Sequence, residues 1–212
     1  LCINAKNFRR QVETIERWGY SFITFDDYRL FLKGQINLPG RPVVLAFDQS
    51  YRDNHTYMFP ILQKLGIRGV VFAIGSSVLG EVSTSIRAAT PDSDLMGDKE
   101  LLELHGAGFE IGSCGMTYTK LTQMTHDEAV RSIADSRMKL EILLNAPVLS
   151  FSYPYGVFTD DIKRTVMSAG YTIACSTHSR SRGLSGDLFD VRCIPVTQAS
   201  GDLSIRSRLL LG

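Results

Sequence analysis

Seven short runs rich in Val, Ile, Phe and Tyr recur along the chain, at 21–25, 43–48, 69–75, 109–114, 148–153, 171–176 and 191–196. Most end in Asp, Gly, Ser or Pro, the signature of a strand meeting a turn. Several are almost wholly apolar, as expected for strands buried on both faces of a parallel sheet. Between them, apolar residues recur at helical spacing. Phe8, Val12, Ile15 and Trp18 precede Gly19, and 58–65 precedes Gly66. The segment 98–108 opens on Asp98 as an N-cap, 125–145 opens on Thr125 and Glu128 as a capping box, and 160–169 precedes Gly170. Strands alternating with helices imply crossovers and a parallel sheet. Seven such units fit a closed or nearly closed barrel, or an open doubly wound sheet, and the pattern alone does not choose. The expectation is one domain over 1–212, with no internal repeat or linker.

Composition removes other classes. The 23 Lys and Arg against 22 Asp and Glu leave a net charge of +1, which gives no general attraction to nucleic acid or anionic membrane. The longest apolar stretches, such as 70–74, are far too short to span a bilayer. Cys2, Cys114, Cys175 and Cys193 form no C-x-x-C pair and no dense framework; Cys175 and Cys193 lie in apolar runs and read as buried free thiols. The chain begins at Leu1, so the expectation is that a leader, a secretion signal included, has been trimmed from it. The long polar segment 76–97 reads either as a lid or as a plain loop.

Parallel α/β architectures bind ligands at the carboxyl ends of their strands. There the second run ends Ala46-Phe47-Asp48-Gln49-Ser50 and is followed by Tyr51-Arg52-Asp53-Asn54. The fourth runs into Ser113-Cys114-Gly115-Met116-Thr117-Tyr118, the fifth into Tyr153-Pro154-Tyr155-Gly156 and the sixth into His178. Residues 43–54 resemble the first motif of the polysaccharide deacetylases of the NodB-homology family, usually TFDDGYxDN. Residues 109–118 resemble the second, EIGSH(S/T)xxH, and residues 151–156 the third, in the F-x-Y-P-Y-G form of the exopolysaccharide-modifying branch. The likeness runs from about residue 8 to about residue 196. It implies an α/β fold, a distorted (β/α) barrel with about seven parallel strands.

The resemblance also implies a chemistry. In such enzymes the second Asp of the first motif and two His of the second hold a divalent metal such as zinc. The first Asp is the general base, and the backbone N–H of a tyrosine in the third motif helps hold the oxyanion as an acetyl group leaves an N- or O-acetylated sugar. A metal supplies hydroxide at neutral pH by lowering the pKa of bound water to ~7. Here the base position is Asp48, the metal positions hold Gln49, Cys114 and Tyr118, and the following Gly is Ser50. A neutral amide, a thiol and a phenol are not a common catalytic zinc set. The expectation is therefore a family member that holds no cofactor, is impaired or inactive as a deacetylase, and binds a polysaccharide or oligosaccharide or docks to proteins of polysaccharide assembly. The family places it in the periplasm, in the cell envelope or outside the cell. Tyr153, Pro154 and Tyr155 are expected to bind sugar, although read alone they also fit a core role; Asp48 also fits a strand-end cap, and the strand-end rule favours a pocket position. Two active alternatives stand beside this: a deacetylase with a site rebuilt around Asp48, Cys114 and His178, and a metal-independent hydrolase using Cys114. His55, His105 and His126 fall on helices or helix starts.

Overall fold

The computed structural model describes residues 4–79, 94–178, 186–197 and 200–210. Much of the segment 76–97, from 80 to 93, lies outside the described residues, as does Cys2. In chain order the elements are α1 (Ala5–Arg17), β1 (Ser21–Ile23), α2 (Phe25–Leu32), β2 (Pro42–Val44), β3 (Ala46–Asp48), α3 (Phe59–Leu65), β4 (Val70–Ala73), α4 (Asp98–Gly106), β5 (Glu110–Ser113), α5 (His126–Leu144), β6 (Ser150–Ser152), α6 (Asp160–Ser168), β7 (Ile173–Ser176), β8 (Val191–Arg192) and α7 (Asp202–Leu210).

All pairings among the strands are parallel and follow chain order: β1 with β2, then β3 through β8 in a six-stranded sheet. The run 43–48 is one strand in sequence and two in pairing. Val44 is in register with Ile23, Ala46 is in register with Val70, and Leu45 between them accepts from the Val70 N–H at 2.8 Å. Counting β2 and β3 as one bent strand gives the seven strands of the distorted (β/α) barrel. No pairing closes β8 onto β1 among the described residues.

Strand alternation divides the apolar residues between two layers. Val71, Ala73, Ile111 and Phe151 pack outward beneath α1, α3, α4, α5 and α6 with Val12, Leu62, Leu104, Ile133 and Val166. Val70, Phe72, Ile74, Cys114, Ile173, Cys175 and Val191 pack inward with Ile23, Phe25 and Tyr28. Gly112 is required in the inner layer: a Cβ there would come within 2.5 Å of Ser150 Oγ and 2.6 Å of the Phe72 ring.

Three sequence expectations are corrected. The first strand stops at Ile23, because Thr24 turns the chain into α2 by accepting from the Asp27 N–H while Asp27 accepts from the Thr24 N–H. Helix α4 is capped by Gly97, with Asp98 at its first helical position accepting from the Leu79 N–H. Helices α2 and α7 were not expected at all; α2 is a bare eight residues, and its run of Tyr28, Leu30, Phe31 and Leu32 has no clear helical period. The Thr125–Glu128 capping box and the left-handed stop at Gly66 are as expected. Cys114, Cys175 and Cys193 are free thiols, the first two buried and Cys193 partly so. No helix among the described residues is long and apolar enough to cross a membrane.

Candidate functional site

The carboxyl ends of β3, β5, β6 and β7 form one mouth. Asp48 is the last residue of β3, on the same side of the strand as Ala46, and so faces the barrel interior. Its side chain keeps solvent access although protein surrounds it on most sides, and Ser152 at the end of β6 hydrogen-bonds to it. The surrounding protein holds its carboxyl above the ordinary carboxylate value, and the Ser152 bond offsets part of that rise.

After Asp48 the backbone enters the left-handed region twice, at Gln49 (φ 68°) and Ser50 (φ 44°). Non-glycine residues avoid that region, and strained backbone of this kind concentrates at functional sites. Tyr118 (φ 49°) and Tyr155 (φ 60°), from the loops after β5 and β6, share it. The loop after β3 is tied down by its neighbours: Ser50 O accepts from Met96 N–H at 2.8 Å, Arg52 N–H donates to Asp94 O at 2.7 Å, and the Arg52 guanidinium pairs with Asp94 and Glu100.

The loop after β5 is held by helix α5 and by the turn after β4. Ser132 Oγ accepts from Met116 N–H at 3.1 Å, Ser136 Oγ meets Ser113 Oγ at 2.9 Å, and Gly75 N–H donates to Gly115 O at 3.0 Å. This places Cys114 beneath Gln49. Its thiol is fully buried (0% exposed), reaches Phe72 O at 3.5 Å and Ala73 O at 3.4 Å, and is approached by the Gln49 N–H. Burial first, then the Asp48 charge, push that thiol well above its ordinary value. Tyr118 contacts the Gln49 side chain and the Tyr155 backbone through its hydroxyl, which burial and then the Asp48 charge likewise hold far up. The Gln49 carbonyl oxygen also accepts from the Tyr51 hydroxyl.

The residues expected to bind sugar divide. Tyr153 is 1% exposed, stacked on Phe158 with ring centroids 4.3 Å apart, and its hydroxyl donates to Phe189 O at 3.0 Å. Pro154 is buried as well. The expectation that all three offer a face to ligand is thus corrected: the ring of Tyr153 belongs to the outer core, and Tyr155, 50% exposed, is the one that looks outward. Its ring lies 5.1 Å from that of Tyr118, and Lys120 Nζ sits 5.4 Å from its centroid. Gly156 (φ 71°) lets this turn press on β7, where a Cβ would meet Thr177 Oγ1 at 2.0 Å.

The structure therefore gathers Asp48, Gln49, Cys114, Tyr118 and Tyr155. His178 is exposed, with Nδ1 3.3 Å from Thr177 Oγ1 and close enough to Gly156 that a Cβ there would lie 3.0 Å from it; no hydrogen bond joins it to Cys114 among the described residues. Sequence reading missed Ser152 and the place of Cys175 within reach of the Asp48 charge and of Cys193. Alternation along β6 and β7 carries that signal, since Ser152 and Cys175 fall on inward-facing positions. A separate cavity of about 340 Å³ lies between Met116–Thr117 and the α5 residues Glu128, Arg131 and Asp135, and Asp48 does not line it.

Comparison with known proteins gives the class to which this barrel of parallel strands, with three motif loops at its mouth, belongs. The family model described as polysaccharide deacetylase matches residues 35–174. The chain belongs to the polysaccharide deacetylase family. It is 22% identical over 188 residues to YxkH of Bacillus subtilis, across 87% of this chain and 63% of that protein. It is equally 22% identical to the poly-β-1,6-N-acetyl-D-glucosamine N-deacetylase of Staphylococcus aureus, across 84% of this chain and 62% of that one. The chain thus spans less than two thirds of the length of these relatives. Among solved structures, the Streptococcus pyogenes deacetylase PplD in complex with acetate superposes with a TM-score of 0.80 at 18% identity, over 98% of this chain and 87% of that one. IcaB from Ammonifex degensii does so with 0.80 at 19%, over 98% and 90%. These likenesses establish the fold.

Proposed function

We propose that this chain is a single-domain glycan-binding member of the polysaccharide deacetylase family, acting outside the cytoplasm in polysaccharide recognition or assembly, whose centre is impaired or inactive in metal-assisted deacetylation. The observation that carries the reading is the donor set at the mouth. Where the family resemblance expects an Asp and two His, this chain has Gln49, Cys114 and Tyr118. The Gln49 oxygen is neutral and already accepts from Tyr51. The Cys114 thiol is shut beneath the backbone, with two carbonyl oxygens in range. The Tyr118 hydroxyl is committed to Gln49 and the Tyr155 backbone. A divalent cation would have to expel two protons and break these bonds to gain two ligands, so the set does not fit a catalytic zinc or a harder dication. Among the described residues no group of three His, Cys, Asp or Glu side chains is placed to hold a metal ion.

What the mouth retains suits binding. Asp48 and Ser152 offer hydrogen-bonding groups, and the half-exposed Tyr155 ring offers an apolar face of the kind that sugar rings, bounded by hydroxyls, pack against. Asp48 alone has ordinary water and an unpolarised acetyl group to work on. The glycan class follows from the Staphylococcus aureus relative, named for poly-β-1,6-N-acetyl-D-glucosamine.

The test is a deacetylation assay on N-acetylglucosamine oligomers with added zinc, cobalt or manganese, together with elemental analysis of the purified protein. No turnover and no stoichiometric metal is the expected result. Robust metal-dependent turnover overturns the reading and restores an active deacetylase.

A further inference from the structure

We infer that Cys175 and Cys193 form a reversible disulfide that fastens β8, the last strand of the sheet, to β7. This goes beyond the proposed function and does not depend on whether the mouth binds a glycan or turns one over.

The backbone brings the two residues together. Strand β8 lies at the end of the sheet order and is two residues long, with Val191 in register with Cys175 and Arg192 with Ser176. The Cys193 N–H donates to Ser176 O at 2.8 Å, so the hydrogen-bonded ladder runs on to the residue after the strand. Side chains alternate along a strand, and Cys193 therefore returns to the face of Val191, the residue opposite Cys175. Both cysteines pack in the inner apolar layer, Cys175 at 1% exposed and Cys193 partly exposed. Their side chains meet there, the Cys193 thiol being a hydrogen-bond partner of the Cys175 thiol. A disulfide needs side chains that point at each other from backbones held close together. Paired strands and facing thiols supply both conditions. Cys114 does not compete, because its fully buried thiol is turned to the Phe72 and Ala73 carbonyl oxygens.

Exposure sets the order of the chemistry. Cys193 is the thiol that a reagent reaches, and Cys175 lies buried beside it. With a small disulfide such as oxidised glutathione as the oxidant, the Cys193 sulfur gives up its proton and attacks one sulfur of the reagent. A mixed disulfide forms and the first glutathione thiol leaves. The Cys175 sulfur then gives up its proton and attacks the Cys193 sulfur, and the second glutathione thiol leaves. Two protein thiols lose two electrons and two protons, and one disulfide is reduced to two thiols. Compartments outside the cytoplasm, where we propose that this chain acts, supply such oxidants. The bond would close the chain from 175 to 193 into a loop, which restricts the unfolded state. It would also secure a strand that rests on two registered pairs and that, among the described residues, no pairing joins to β1.

The test is to equilibrate the folded protein with oxidised glutathione, alkylate the remaining thiols in denaturant, digest with trypsin and weigh the peptides. The expected product is peptide 165–180, which carries Cys175, joined to peptide 193–206, which carries Cys193, with Cys114 alkylated in the same sample. Reduction should separate the two. In urea, the oxidised protein should have an unfolding constant smaller than that of the reduced protein by about tenfold or more. Cys193→Ser should abolish both the linked peptide and the difference in stability. Recovery of both peptides alkylated after oxidation, arrest at a glutathione adduct on Cys193, linkage of either cysteine to Cys2 or Cys114, or equal unfolding of the two forms overturns the inference. The peptide map of the unaltered protein decides even if the variant misfolds. None of these outcomes bears on turnover with added metal, so this inference and the proposed function fail separately.

Discussion

Two carboxylates lie inside the same barrel and are treated in opposite ways. Glu110, the first residue of β5, is buried at the amino end, where Arg29 of α2 pairs with it at 2.7 Å and the Asp26 N–H donates to it at 2.8 Å. Asp48, at the carboxyl end of β3, is solvent-exposed, has Ser152 as a hydrogen-bond partner and is in no ion pair among the described residues. Neighbouring protein raises both carboxyl groups above their ordinary values, but among the described residues it is Glu110, the buried one, that has its opposing charge supplied by the chain. The amino end is thus a closed electrostatic unit that fastens α2 to the strands. The mouth keeps a solvent-exposed carboxylate, and left-handed backbone gathers around it at Gln49, Ser50, Tyr118 and Tyr155. The buried charge at the amino end is neutralised within the fold, and the exposed carboxylate at the mouth remains accessible to a ligand.

The contrast can be broken first at the amino end. Arg29→Met strands Glu110 beside Asp26 and should cost about 3–5 kcal/mol in urea unfolding. Adding Glu110→Gln should recover part of that loss, and a double variant no better than the single one would show that Arg29 acts by packing rather than by charge. Between the two ends, on the same face of β5, Gly112→Ala forces a methyl group onto Ser150 and Phe72 and should cost about 1–3 kcal/mol. An unchanged melting temperature would mean that the inner layer has room that the structure does not record. Near the mouth, Ser132→Ala removes the acceptor for Met116 N–H and should cost about 1 kcal/mol, with faster amide exchange at Met116 as the local readout.

The smallest expected effect has the opposite sign. Because Asp48 is held above its ordinary value, the folded protein keeps that proton to higher pH than the unfolded chain does. Its contribution to stability is therefore fully present below the unfolded value, about 4, and is lost as pH rises through the folded value. Asp48→Asn should consequently be more stable than the parent at neutral pH, by about 0.5 kcal/mol once solvent access is allowed for. The difference should vanish near pH 4. A variant less stable than the parent at pH 7 would mean that Asp48 has a compensating partner and that the comparison with Glu110 fails.

The architecture was legible because it rests on local pattern. Apolar runs such as 70–74 and 109–114, and stops such as Gly66, report strand and helix directly, since burial on two faces and left-handed backbone demand particular residue types. Helix α2 was not legible, because eight residues with mixed apolar spacing sit where a strand pattern is still running. Its capping pair, Thr24 and Asp27, was the available signal. The site was legible in membership more than in geometry. The motif positions put Asp48, Gln49, Cys114 and Tyr118 at strand ends, and the structure brings them together. It also turns the Tyr153 ring into the core and adds Ser152 and Cys175, none of which adjacency in sequence reveals.

The amino-acid sequence by itself determined that this chain alternates strand with helix, that its motif loops fall at one end of the strands, and which chemical groups those loops carry. These properties depend on neighbours a few residues away. Tertiary structure alone decided that residues 43–48 bend between two pairings, that Glu110 finds Arg29 eighty-one residues earlier in the chain, and that Cys114 is sealed under Gln49. Burial and charge compensation are sums over everything that surrounds a group in space, so no stretch of sequence read alone contains them.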